Sequence, residues 1–190
     1  MAPLPTLTTA RLTLRPFAAS DAPAVQEFCS AREVALNTLM IPHPYPDGAA
    51  MEWIEMQKRE IEAGTIHNFA LVDGEQLVGA MGLMMKEHAI AELGYWIGVP
   101  FWNRGYASEA GRELVRYGFE ECGLHRIFAY HFTRNPASGR VLQKIGMQRE
   151  GFLRQHQYKW GEYLDVVFYG LLREDLAVER VSRDRSVVVE

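Results

Sequence analysis

The sequence predicts an α+β fold with a mixed, mostly antiparallel central sheet of about seven strands flanked by about four helices. Three observations predict it. Apolar residues alternate with period two through the middle of the chain, in segments joined by short Gly-containing turns, which is the pattern of hairpins. Stretches of helical period interrupt the strands, giving the order strand, helix, helix, three strands, helix, strand, helix, two strands. The chain has 190 residues, 48% hydrophobic and 23% charged, enough to bury one core as one domain without disulfides or metal.

Each element has its own warrant. Residues 6–15 alternate at Leu7, Leu12 and Leu14, and their second half reads as a first strand with one wet face. Ser20 and Asp21 followed by Pro23 predict a capped helix running to about Ala31. Residues 37–48, NTLMIPHPYPDG, hold three prolines and read as a loop, more apolar than a solvated connector. Asp47 is expected to cap a second helix, with Trp53, Ile54, Gln57 and Ile61 at helical spacing and Gly64 past its end. HNFALV and EQLVGAMGLMM on either side of Asp73-Gly74 predict a hairpin, and AIAELGYWIGV a further strand. Residues 106–122 predict a helix with Ala107, Ala110, Leu114, Tyr117 and Gly118 on one face, ended by Gly123. RIFAYHF is a strand, Asn135-Pro136 opens a short helix stopped by Gly146, and the last strands, about 152–160 and 163–171, meet at Gly161-Glu162. The domain is expected to span 1–190, with a core over 7–172 and a tail from 173 that forms a helical turn and then frays.

Composition excludes several classes. Lys and Arg number 20 against 24 Asp and Glu, a formal charge of −4, and no run of Lys/Arg makes a basic patch, so no nucleic-acid partner is expected. Cys29 and Cys122 belong to no CxxC pair and read as small buried hydrophobes. No charged n-region leads an apolar stretch at the start, and no stretch reaches the ~18–20 apolar residues that span a bilayer, so a cytoplasmic protein without membrane contact is expected. The Walker, dinucleotide, nucleophile-elbow and zinc motifs are all missing. His125 and His131 share a strand face without a third ligand type nearby, so no metal site is expected.

Two stretches carry chemistry. In ELGYWIGVPFWNRGYASEAG a strand runs into Pro100, then an Asn103-Arg104-Gly105 turn, then a helix with small residues in its first turn. Free N–H groups and the positive end of the helix dipole suit an anion there, and Gly105 and Ala107 let a ligand approach the backbone. An ordinary strand, turn and helix fits the same letters. In RNPASGRVLQKIG, Asn135 precedes a helix and Ser138 sits in its first turn, and helix capping alone accounts for the Asn.

Taken together the segments TARLTLRPF (9–17), IPHPYP (41–46), AELGYWIG (91–98), WNRGYASEA (102–110), HRI (125–127) and NPASGRVLQKIGM (135–147) resemble the GNAT-family N-acetyltransferases. Within them the chain is similar to the ribosomal-protein N-terminal acetyltransferases of the RimJ/RimL type, over about residues 7–172. The resemblance implies the GNAT fold and acetyl-CoA as co-substrate, with no metal. It implies that the backbone around Tyr95, Ile97 and Val99 receives the pantetheine arm and thioester where it splays from strand 126–132. It implies that the turn Asn103, Arg104, Gly105, Tyr106, Ala107 and Ser108 cradles the pyrophosphate, that Asn135 contacts the pantetheine arm, and that Ser138 lies near the sulfur. Lys144 or Arg140 would reach the nucleotide end. The chain departs from the family pattern at Trp102, where Gln or Arg is common, and at Leu142, where many members carry a Tyr general acid.

The reaction implied is direct attack of an amine on the thioester in a ternary complex, with Ser138 as acid and Glu92 as base, directly or through water. For the acceptor, His43, His156 and Tyr158 are pocket candidates, IPHPYP with Tyr45 a wall, and Asp165 a group that orients the amine. The expected acceptor is a protein N-terminal α-amine. The alternatives are a small amine (polyamine, amino acid or antibiotic) or a non-catalytic acyl-CoA-binding domain. A monomer or homodimer fits equally.

Overall fold

Eight strands form one sheet in the order β1-β2-β3-β4-β5-β6-β8-β7. The computed structural model describes residues 3–176. The strands are β1 (Leu7–Thr8), β2 (Leu12–Arg15), β3 (Ile66–Asp73), β4 (Gln76–Lys86), β5 (Ile90–Ile97), β6 (Arg126–Phe132), β7 (Gln148–Lys159) and β8 (Glu162–Leu172). The helices are α1 (Ala22–Ser30), α2 (Arg32–Asn37), α3 (Ala49–Ala63), α4 (Tyr106–Glu120) and α5 (Pro136–Lys144), with 3-10 turns at Ala19–Asp21 and Val99–Phe101. Every neighbouring pair is antiparallel except β5 and β6, which run parallel across the helix α4.

The strand count exceeds the expected seven because 6–15 folds back on itself, pairing Leu7 with Leu14 and Thr8 with Thr13. The helix count exceeds four because Ala31 takes an extended ψ of 122° and the chain restarts as α2. Asp47 is not the cap of α3; Gly48 occupies that position with φ +80°, a left-handed conformation Asp would adopt less readily. A helical turn at 173–176 follows β8, and the expected fraying of the later tail lies outside the described residues.

The period-two strands bury two cores, one on each face. Odd-numbered positions such as Leu71, Met81, Leu83, Ala91, Leu93 and Ile127 pack with Leu114 of α4 and Leu142 of α5. On the other face Ala70, Val72 and Ala80 pack with Val25 of α1 and Ile54 of α3. The second core is narrower and stops near β5, so the half of that face made by β6 and β8 has no helix packed into it. Trp96 touches both cores at the boundary.

Asp21 locks the start of α1 to the sheet. Its carboxylate takes both arms of the Arg15 guanidinium, at 2.7 and 2.8 Å, and the Ala18 N–H at 2.8 Å. Burial alone would raise Asp21, but these donors outweigh it and hold the carboxyl below its usual range. Its contribution to stability is therefore present above about pH 4 and is lost as pH falls through the lowered value. We expect Asp21→Ala to destabilise the fold by about 1–3 kcal/mol, less than for a fully buried pair because the Arg15 side chain is 30% exposed. Urea denaturation at pH 7 and pH 3 checks this: the gap between variant and parent should narrow at pH 3, and a gap independent of pH would contradict it.

Candidate active site

β5 and β6 are hydrogen-bonded neighbours for only three residues, at Ile90–Arg126, Ala91–Ile127 and Glu92–Phe128. Beyond them β5 stays with β4 to the pair Gly79–Ile97, while β6 stays with β8 to the pair Phe132–Val166. The two strands part, and a wedge opens between them. The parity of β5 decides what faces it. Gly98 N–H donates to Val78 C=O at 2.9 Å, so even-numbered residues bond to β4; the Leu93 N–H closes the last rung of the ladder with β6, and the Leu93 carbonyl and the backbone groups of Tyr95 and Ile97 turn toward the wedge. The Ile97 carbonyl is taken by the Trp102 indole, whose Nε1–H donates to it at 2.7 Å. Val99 was expected to extend this strand but lies in the 3-10 turn, where Pro100 cannot donate to a ladder.

The chain next builds an anion cradle. Asn103 and Gly105 both take left-handed backbone, φ +62° and +83°, and Gly105 is the N-cap of α4. Among the described residues, the N–H groups of residues 103–108 have no acceptor, a run longer than the four that every helix leaves open. Side chains fix the loop from behind. Arg11 pairs with Glu109 at 2.6 Å, donates to the Arg104 carbonyl at 3.1 Å and lies over the Tyr106 ring at 4.7 Å. Thr9 Oγ1 donates to Glu109 at 2.6 Å, and Tyr106 Oη donates to Asp73 at 2.5 Å. Burial would raise Glu109, yet the donors from Thr9 and Arg11 hold it below the usual carboxylate range. Tyr106 and Ser108 are buried, so only their backbone is offered.

α5 supplies the third element. Asn135 is its N-cap and accepts the Ser138 N–H through Oδ1 at 3.3 Å. Its side-chain NH2 has no acceptor among the described residues. Ser138 Oγ receives a hydrogen bond from Tyr95 Oη at 2.8 Å. Burial pushes the Tyr95 phenol up to about 12, with the Ser138 contact opposing, so it is protonated near neutrality. The resemblance implies a role only for the Tyr95 backbone; the odd parity of Tyr95 on β5, which faces it to the α5 side, is the signal for its hydroxyl meeting Ser138. Lys144 is exposed in the last turn of α5, six residues from Ser138, or about 9 Å along the helix.

A cavity of about 850 Å³ runs through the wedge from Ser138 and Tyr95 on the α5 side to Glu92 and Trp53 on the α3 side. Glu92 lines it, 3.6 Å from Lys86. His156 also lines it. The other acceptor-side expectations fall elsewhere. His43 lies outside the lining and packs on Trp160, with ring centroids 6.0 Å apart. Tyr45 packs with the α1–α3 core, and the wall is instead residues 37–41, so only Ile41 of IPHPYP contributes. Tyr158 is 59% exposed against Tyr163. Asp165 accepts the Gln155 N–H at 2.7 Å and holds a β7 bulge rather than reaching the cavity. No group of three or more His, Cys, Asp or Glu that could hold a metal occurs among the described residues, and no helix there is long and apolar enough to cross a membrane.

The wall 37–41 is held by a buried lysine that sequence reading missed. Lys159, 7% exposed, donates its three N–H bonds among the carbonyls of Ala35 (2.7 Å), Thr38 (2.5 Å), Leu39 (3.2 Å) and Ile41 (2.8 Å). Burial, with Arg134 nearby, pushes the ammonium down to about 8, while the carbonyls favour the charged form. Arg134 itself donates to the Leu36 carbonyl.

Comparison with known proteins finds relatives over most of the chain. Residues 11–148 match the family model described as an acetyltransferase (GNAT) domain. The uncharacterized N-acetyltransferase p20 of Bacillus licheniformis is 33% identical over 177 residues, 90% of this chain and 98% of its own. YdaF of Bacillus subtilis, provisionally named a ribosomal N-acetyltransferase, is 34% identical over 63% of both chains. A GNAT-family acetyltransferase structure from Bacillus anthracis superposes with TM-score 0.80 at 29% identity, covering 90% of this chain and 99% of that one.

We expect Lys159→Met to leave the carbonyls of residues 35–41 without their donor, lowering stability by about 1–3 kcal/mol. Hydrogen exchange in the 37–41 segment should quicken while exchange at 103–108 stays as it is. Unchanged melting and unchanged exchange at 37–41 would contradict the assignment.

Proposed function

The chain belongs to the GNAT acetyltransferase family, and from that premise we propose that it acetylates the α-amino group at the N-terminus of a peptide or protein. The family uses acetyl-CoA, which brings the activated acetyl group as a thioester. The observation that carries the reading is the conjunction at one wedge of unpaired backbone N–H groups, a Ser–Tyr hydroxyl pair and a cavity-lining carboxylate.

The residues fit that co-substrate. The N–H run at 103–108 and the positive end of α4 suit a pyrophosphate, and the left-handed Gly105 keeps side-chain bulk out of its way. The Leu93 carbonyl, the Tyr95 backbone and the Ile97 N–H would take the pantetheine arm as a strand takes a neighbour, and the Asn135 NH2 would meet it from α5. The N–H groups of Tyr95 and Ile97 face the wedge, where they would meet the carbonyl oxygen as it gains charge, and one such donor is worth about 3–4 kcal/mol.

Proton movements fall to two sites. Glu92 takes the proton of the attacking amine, directly or through one water. Ser138 gives its proton to the departing sulfur and regains one from water, and Tyr95, protonated and hydrogen-bonded behind it, orients the Ser138 hydroxyl. A thiol has a pKa near about 8.5, so this help is modest. One carboxylate suits an α-amine, near about 7.7–8.0, better than a Lys ε-amine near about 10.4.

The relatives' names support an α-amine without deciding it. AaaT of Escherichia coli, 25% identical over 78% of this chain, is named an L-amino acid N-acetyltransferase. YdaF carries its ribosomal name. A spermidine N-acetyltransferase SpeG chimera shares the fold at 23% identity and TM-score 0.74. A polyamine would want several carboxylates around its ammonium groups, and among the described residues Glu92 and Glu60 are the only acidic ones in the cavity lining.

Ser138→Ala should lower kcat about 10- to 100-fold with the KM for acetyl-CoA unchanged. Tyr95→Phe should lower kcat less, and the double variant should be no slower than Ser138→Ala alone, because Tyr95 acts through Ser138. Wild-type turnover in Ser138→Ala would remove the residue from the mechanism. The function itself is tested by competition: short peptides with free N-termini, spermidine and free lysine at equal concentration, with acetyl incorporation read by mass spectrometry. Peptide acetylation should dominate, and a higher kcat/KM for spermidine or lysine would overturn the reading.

A further inference from the structure

Three large aromatic side chains stand outside both cores. Phe128 and Tyr130 of β6 and Phe168 of β8 line the cavity, and neither core cluster includes them. Their face is fixed by parity. Ile127 and Ala129 point into the core under α4, so Phe128 and Tyr130 point the opposite way, onto the part of the sheet that α1–α3 leave uncovered. Their rings form a continuous floor. Phe128 and Phe168 are stacked at 6.4 Å and 17°, Tyr130 lies 5.3 Å from Phe168, and His156 meets Phe168 edge-on at 5.5 Å.

Folding gives no reason for such a floor. Aromatic rings on an open sheet face cost solvent ordering unless something covers them. Glu92 sits at the edge of the floor, paired in register with Phe128 and pointing to the same side. Burial, with the Glu92 charge adding to it, pushes the Tyr130 hydroxyl up to about 12, which marks the two groups as neighbours. Met84, paired in register with Glu92, carries the sheet floor on to β4, and Met40 of the 37–41 wall and Met56 of α3 also line the cavity, side chains that adapt to a guest's outline. An acidic side chain laid on this floor would be desolvated and would face the Glu92 and Glu60 carboxylates of the same cavity.

Resting on the α-amine reading above, we propose that the acceptor's first residue carries a large apolar side chain, aromatic above all, which lies on the Phe128–Tyr130–Phe168 floor while its amine faces Glu92. The floor then selects the substrate, and Phe168, at its centre, is the residue on which the selection depends.

The test is kcat/KM for the full chain with tripeptide amides that differ only in their first residue (Phe, Leu, Ser or Asp), together with phenethylamine and spermidine. The Phe-first peptide should exceed the Ser- and Asp-first peptides by about tenfold or more, the discrimination an apolar pocket provides. Phe168→Ala should shrink that ratio while the KM for acetyl-CoA stays unchanged. Phe128→Leu, which keeps an apolar side chain of similar reach, should shrink it less and guards against a folding defect in the first variant. Equal or better rates for Ser- or Asp-first peptides, or a ratio unmoved by Phe168→Ala, would overturn the proposal while leaving peptide acetylation intact. Silent peptides with phenethylamine acetylated well ahead of spermidine would instead support the floor and sink the peptide reading. Spermidine ahead of every other amine would sink both.

Discussion

The pairing between β5 and β6 stops at Glu92 and Phe128, and the working parts of the molecule follow from that stop. Had the ladder continued, the Leu93 carbonyl, both backbone groups of Tyr95 and the Ile97 N–H would be spent on β6. The parting also opens a passage between the two faces of the sheet, through which the cavity runs. Each strand is held apart by a stronger commitment elsewhere, β5 to β4 over its whole length and β6 to β8 over seven residues. The wedge is therefore a feature of the ladder pattern, and needs no ligand to hold it open.

The two ends of the chain brace the two sides of that wedge. From the N-terminal side, Thr9 and Arg11 hold Glu109 and the Arg104 carbonyl, fixing a loop that would otherwise carry two left-handed residues and six unpaired N–H groups unsupported. From the C-terminal side, Lys159 at the end of β7 gathers the carbonyls of residues 35–41 and sets the wall opposite the aromatic floor. In both places a charged side chain does its work on backbone carbonyls or on a carboxylate fixed by several donors, which is where charge-assisted hydrogen bonds are strongest. The site itself is left with few charges, and that suits an uncharged amine attacking a thioester.

What was legible in the sequence was local. Gly105 at a turn before small residues, and Asn135-Pro136 before a helix, each announce their structure within a few positions, and both lie where expected. The sheet and its hairpins were readable from period two alone. What was missed depends on contacts between distant segments. Lys159 lies 118 to 124 positions from its acceptors, and no local pattern marks it. The Tyr95–Ser138 hydrogen bond spans 43 positions and needs both the parity of β5 and the placement of α5. Asp165 and His43 have residue types that suit catalysis, yet a bulge and a stacking partner account for them. The aromatic floor had a signal that went unused: RIFAYHF is apolar at both parities, in a part of the sheet where only one face is covered by a helix.

The central claim is that the wedge and the cradle at its end bind acetyl-CoA as one continuous site. Hydrogen exchange measured by mass spectrometry, with and without saturating acetyl-CoA, tests it most directly because it reads the backbone N–H groups themselves. The account predicts slowed exchange in two segments together, 95–97 and 103–108, with the β7 edge strand at 148–153 unchanged. Saturated binding that leaves 103–108 unprotected, or that protects a segment away from the wedge instead, would contradict it.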